Sequence, residues 1–177
     1  MTDEEYQALV ARIHSGSLLV GVDRSIARKF YTEIPLSRIE EETGEAPYFE
    51  KFVVFGAQMG GLWALLASLV IAILAFSWWA AVAIPASIII YVVVAAASST
   101  PWGGLGSVSV LLGLTLLGIY FDWFPSEYVA SYAVLVTAAL WLARLTYVAA
   151  AHFIRAFVVR NRRAYEFLAQ HIHLREA

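Results

Sequence analysis

Apolar residues run almost unbroken from Phe52 to Ala143, while polar and charged residues crowd the segments on either side. Within that stretch there is no lysine, arginine or histidine, and only Asp122 and Glu127 carry charge. A water-soluble domain with such a run would have too little polar surface to face solvent. The pattern therefore predicts a membrane chain. A lipid-spanning helix needs about 20 mostly apolar residues, and the stretch holds four such helices joined by tight turns.

The breaks in the pattern place the spans. The first runs over about 52–76 and ends at Ser77-Trp78-Trp79, an aromatic pair of the kind found at membrane interfaces. The second, about 80–97, carries Pro85 and a β-branched run. Ser98 to Gly104 (SSTPWGG) makes the next turn, and the third span covers about 105–120. Phe121-Asp122-Trp123-Phe124-Pro125 turns the chain again, with Ser126 as helix cap. The fourth span is about 127–147. No breaker interrupts its helical pattern before about Gln170, so the sequence predicts one long helix with 148–177 as a cytoplasmic extension.

The first 51 residues read as short helices. Thr2 and Glu5 form a capping-box pattern for a helix over 2–14. Asp23 caps a second helix over 24–33, which Pro35 ends. Ser37 caps a third through Glu42, closed by Gly44. Leu18 to Val22 is too short to assign, and the segment Gly21 to Tyr31 is distinctive without matching a motif. The expected fold class is all-α: a polytopic membrane protein of four transmembrane helices with cytoplasmic helices at both ends. No basic n-region and apolar h-region open the chain, so the first span is expected to act as its own insertion signal.

Charge sets the orientation. Residues 1–51 hold six of the twelve Lys/Arg and residues 144–177 the other six, with none in the turns. The positive-inside rule then puts both termini in the cytoplasm of a multi-pass protein of a bacterial inner membrane or its equivalent. The ends are nevertheless unlike: 1–51 has ten acids against six bases, a net of −4, and 144–177 has six bases against two acids, a net of +4. Ile154, Val158, Tyr165, Leu168 and Ile172 recur along one side of the tail helix. The tail is therefore expected to dock on the N-terminal helices, within one subunit or between neighbours, with Glu40-Glu41-Glu42 as the acidic counterpart. The basic face of Arg144, Arg155, Arg160, Arg162 and Arg163 also suits anionic lipid headgroups.

Candidate chemistry is sparse. Gly56, Gly60, Ala64, Ser68 and Ala72 recur every four residues, a small-residue seam that lets helices approach closely while drifting about 160° around the helix. Gln58 calls for an interhelical hydrogen bond. Gln58, Ser107, Thr115, Asp122 and Glu127 are the residues available to a pore or polar face, with Gly118 beside the hydroxyls. Such hydroxyls more often bond back to their own helix. His152 stands alone, and His171-x-His173 near Glu176 point different ways on a helix, so no metal site is expected. The chain has no cysteine, no phosphate-binding glycine loop and no G-x-S-x-G or H-E-x-x-H motif. It reads as a non-enzymatic membrane protein without cofactor or nucleic-acid partner, working as an oligomerising or complex-forming subunit. The alternatives are a homo-oligomeric, cation-favouring channel with an acidic outer ring, and a lipid-binding protein.

Overall fold

A computed structural model describes residues 1–100 and 104–176. The chain is mostly helical, at 80%. Its helices are α1 (Asp3–His14), α2 (Arg24–Thr32), α3 (Leu36–Thr43), α4 (Tyr48–Phe76), α5 (Ala80–Ser98), α6 (Gly106–Tyr120), α7 (Glu127–Arg160) and α8 (Arg162–Leu168). Two strands, β1 (Leu18–Val22) and β2 (Ile172–Glu176), complete the order. The chain divides into two compact units, one formed by residues 1–54 with 149–177 and the other by residues 55–148.

The first unit is built from both ends of the chain. Thr2 accepts from the Glu5 amide while the Glu5 carboxylate accepts from the Thr2 amide, so the expected capping box starts α1. Asp23 caps α2 by accepting from the amides of Ser25 and Ile26. Pro35, not Ser37, is the N-cap residue of α3, and no side chain caps that helix. Gly44 ends α3 with φ of 75°, the left-handed conformation glycine takes without a Cβ penalty.

Two expectations are corrected here. The chain is not all-α: β1 and β2 form an antiparallel ribbon in which Leu18 faces Glu176 and Val22 faces Ile172. Apolar β-branched residues favour the extended form, and Gly21 lets the strands close, since a Cβ there would come within 3.1 Å of the His173 carbonyl oxygen. Nor does one helix reach Gln170. It stops at Asn161, whose extended backbone (φ −130°, ψ 115°) lets its side chain accept from the Ala164 amide and start α8. Asparagine is a weak helix former and a strong cap, and the 3.6-residue apolar pattern continues across the break because α8 is itself amphipathic.

The core of this unit gathers Tyr6, Phe30, Tyr31 and Ile39 with Ile154, Phe157, Val158 and Leu168. Phe30 lies 6.1 Å from Phe157, and Tyr31 is edge-on to Phe153 at 6.2 Å. The Tyr6 hydroxyl, 3.0 Å from the Val158 carbonyl and 2.7 Å from that of Val159, donates into the last turn of α7. The tail therefore docks on the N-terminal helices within one chain.

Two helical stretches that supply most of the second unit are long and apolar enough to cross a membrane by length and composition. They are Tyr48–Ser98, 51 residues interrupted by a 3-10 turn at Ser77–Trp79, and Glu127–Arg160, 34 residues. Gly106–Tyr120, with 15 residues, is apolar but shorter. Ser77 and Asp122 adopt φ of 50° and 53°, and each sits in a break between apolar helices. The turn expected over Ser98 to Gly104 includes Pro101, Trp102 and Gly103, which lie outside the described residues.

Candidate functional site

Helix α7 touches each of the other three apolar helices in the second unit. Along α4 the buried positions are Val54, Ala57, Gly61, Leu65, Ser68 and Ala72, a mixture of three- and four-residue steps. Strict four-residue spacing drifts off that line. Hence Gly56 is exposed with nothing within 4 Å of a built Cβ, Gly60 and Ala64 are half-buried, and Ser68 and Ala72 are buried. Gly61 is the glycine that faces the α7 backbone, where a Cβ would lie 3.4 Å from the Ala139 carbonyl and 3.5 Å from the Ala143 amide. The sequence singled out the neighbouring Gly60, whose Cβ would meet Leu142 at 3.4 Å.

The polar side chains of these helices are mostly turned inward. Ser68, Thr115, Thr137 and Thr146 donate to carbonyls three or four residues earlier on their own helices. Ser87 does the same with Ala83 and shares a short hydrogen bond with Tyr132 of α7. The Trp141 indole donates to Ser109 at 3.0 Å. Arg144 donates to the Gly104 carbonyl at 2.7 Å and to Ser107 at 2.8 Å, which ties α7 to the start of α6. Gly118 packs under Phe124, with 3.0 Å from a built Cβ to that ring.

The five residues offered for a pore or polar face are therefore not brought to one surface. Ser107 is held by Arg144, Thr115 is bonded to Leu111, and Gln58 keeps its side-chain oxygen buried without a partner among the described residues. Asp122 and Glu127 do come together. With Gly118, Ile119, Phe124, Ser126 and Ala130 they line a cavity of about 260 Å³, and Ser126 accepts from the Val129 amide as the expected cap.

The first unit holds the larger polar feature. The break at Asn161 swings α8 away from the line of α7, and a cavity of about 600 Å³ opens at the joint. It is lined by Asp3, Thr43, Gly44, Arg160, Asn161, Arg162, Arg163 and Glu166. Arg160 bonds Glu45 at 2.7 Å and lies 3.5 Å from Glu50. Arg162 pairs with Asp3 and, at 3.1 Å, with Glu166. Asn161 donates to the Thr43 carbonyl at 3.2 Å and to Glu45 at 3.1 Å. Arg163 forms no ion pair among the described residues, and its guanidinium lies over Gly44, 3.3 Å from where a Cβ would sit.

Glu40, Glu41 and Glu42 are exposed and take part in none of the described ion pairs. The acidic counterpart of the basic tail is Asp3, Glu45 and Glu50 instead. The run of three glutamates was the louder signal, but ion pairing follows position, and the end of α3 and the start of α4 are what meet Arg160. Arg155 and Arg175 flank a separate groove of about 410 Å³ lined by Ile13, Leu18 and Val159. Tyr31 is fully buried with its hydroxyl unpaired among the described residues, and burial, aided by the Glu50 charge, pushes its pKa far above the usual phenol value.

Comparison with family models, with curated proteins and with solved structures finds no match to this chain.

Proposed function

We propose that this chain is a non-enzymatic integral membrane protein, crossing the bilayer four times, that works as an assembling subunit of a membrane complex, built from its own copies or with other membrane chains. The observation that carries the membrane reading is exposure. Only 11% of the most apolar window of Tyr48–Ser98 is buried, whereas the core helix of a soluble protein is buried over most of its length. Leu62, Trp63, Leu66, Val70 and Ile73 on α4, and Ile89, Val92 and Val93 on α5, are among the exposed apolar side chains. Lipid is the solvent that suits them.

Four crossings are supported by Ser77, whose left-handed φ separates α4 from α5, and by Tyr132, which contacts Phe76 on one and Ser87 on the other. The chain then doubles back at Ser77. Helix α6 would span about 23 Å at 1.5 Å per residue, enough for a thinned or interfacial crossing when its flanks are counted. The basic residues of both flanking segments favour cytoplasmic termini.

Assembly is supported over conduction by where the polar groups are spent. The hydroxyls of the apolar helices bond within the chain, while Gly56 keeps an open small-residue surface. The test is the mass of the chain in lipid nanodiscs, with Gly56→Leu beside it. The expected result is a discrete complex, with itself or with co-purifying membrane chains, that Gly56→Leu disperses. A stable monomer would overturn the reading. A closed ring whose cation conductance falls on neutralising Asp122 and Glu127 would replace it with the channel.

A further inference from the structure

We infer that the cavity at the α7–α8 joint is a binding site for a phosphate group, with Arg163 as its principal ligand. Three guanidinium groups line it, and two of them are already committed. Arg160 is held by Glu45 and Glu50, and Arg162 by Asp3 and Glu166. Those pairs orient both side chains at the cavity wall. Arg163 is exposed and left without a carboxylate among the described residues, and its guanidinium passes over Gly44, where a Cβ would lie 3.3 Å from it.

A planar fork with unspent donors at the edge of a polar cavity matches the geometry of a phosphate or phosphomonoester better than that of a single carboxylate. Glu45, Glu50, Asp3 and Glu166 already balance Arg160 and Arg162, so the positive charge open to a ligand at the wall is that of Arg163. The Asn161 amide adds no donor, since Thr43 and Glu45 take it. At about 600 Å³ the cavity exceeds a lone phosphate and accommodates a phosphorylated headgroup or small metabolite.

The chemistry is shared by two sources, the headgroup of an anionic lipid and a free phosphate compound, and the experiment separates them. The full chain in a neutral detergent is titrated with inorganic pyrophosphate, with a short-chain phosphatidic acid, and with the matching phosphatidylcholine. The expected result is saturable binding of pyrophosphate or phosphatidic acid, with phosphatidylcholine silent. Binding of phosphatidic acid alone assigns the site to lipid, and binding of pyrophosphate assigns it to a soluble ligand. Arg163→Gln is expected to weaken binding about tenfold, as loss of a charge-assisted hydrogen bond does. Arg163→Lys, which keeps the charge but not the fork, is expected to fall between. Arg38→Gln removes an exposed charge from α3 outside the cavity and controls for net charge. Absence of saturable binding by both phosphate probes, or equal losses in Arg163→Gln and Arg38→Gln, would overturn the assignment.

Discussion

The side-chain amide of Asn161 donates to the main-chain carbonyl of Thr43 across 3.2 Å, while its oxygen accepts from the Ala164 amide at 3.1 Å. One residue thus caps α8 and ties the C-terminal part of the chain to the end of α3. Thr43 is itself buried, its hydroxyl bonded to the carbonyls of Ile39 and Glu45, so the acceptor is held in place.

Asn161→Ala should remove the cap and the tether together. A lost N-cap costs about 1 kcal/mol, and a lost half-buried hydrogen bond about as much again. Asn161→Asp keeps the cap but places a carboxylate beside Glu45, so it should recover little of the loss. Thermal unfolding of the full chain in detergent, read by protease resistance of the first unit, checks the order wild type, then Asp, then Ala. An Asp variant as stable as the wild type would show that the cap alone matters.

The two glycines of α4 separate intrachain packing from assembly. Gly61→Leu forces a side chain against Ala139 and Leu142, and overpacking of this kind costs about 1–3 kcal/mol. Gly61→Ala brings only ordinary contacts and should be tolerated. Gly56→Leu meets open space, so the isolated chain should keep its melting temperature while its assembled mass changes. A large drop in melting temperature for Gly56→Leu would place that residue inside the fold.

Much of this architecture is legible in the sequence because it rests on local rules. The capping box at Thr2 and Glu5, the Asp23 cap and the left-handed Gly44 need no tertiary information. The apolar helix bounds follow from the missing charges. The ribbon was not legible, because Leu18–Val22 becomes a strand only by finding Ile172–Glu176 some 150 residues away, and long-range pairing leaves no periodicity in five residues. The distinctive segment Gly21–Tyr31 turns out to carry packing: Phe30 and Tyr31 enter the core of the first unit. The cavity is not legible in the sequence for a related reason. The break at Asn161 reads as one polar residue in an amphipathic run, and an asparagine flanked by arginines was the only available sign.

Reversing charge at Glu45 and at Glu41 distinguishes the two acidic clusters. Glu45 is half-buried and bonds both Arg160 and Asn161, whereas Glu41 is exposed. Exposed ion pairs contribute about 0–1 kcal/mol, so Glu41→Lys should leave stability nearly unchanged. Glu45→Lys should destabilise the first unit, and the loss should shrink at high salt as the new repulsion with Arg160 is screened. Melting curves at two salt concentrations decide it, and equal effects of the two variants would reject the pairing.

Acid should weaken the start of α2 through Asp23. Its carboxylate accepts from the Ser25 hydroxyl at 2.6 Å and from the amides of Ser25 and Ile26, and these bonds, the Ser25 hydroxyl first, hold its pKa below the usual aspartate value. Because the folded value lies below the unfolded one, the stabilisation is fully present above the unfolded pKa, about 3.9. It is lost as pH falls through the lowered folded value. Asp23→Asn keeps an acceptor oxygen for the amides, so it should stay near wild-type stability at neutral pH and lack this acid-dependent decrement. Asp23→Ala should cost about 1 kcal/mol at neutral pH and likewise lose the acid dependence. Hydrogen exchange of the Ser25 and Ile26 amides between neutral and acid pH reads the effect locally. Identical acid dependence in wild type and Asp23→Asn would assign the transition to another carboxylate.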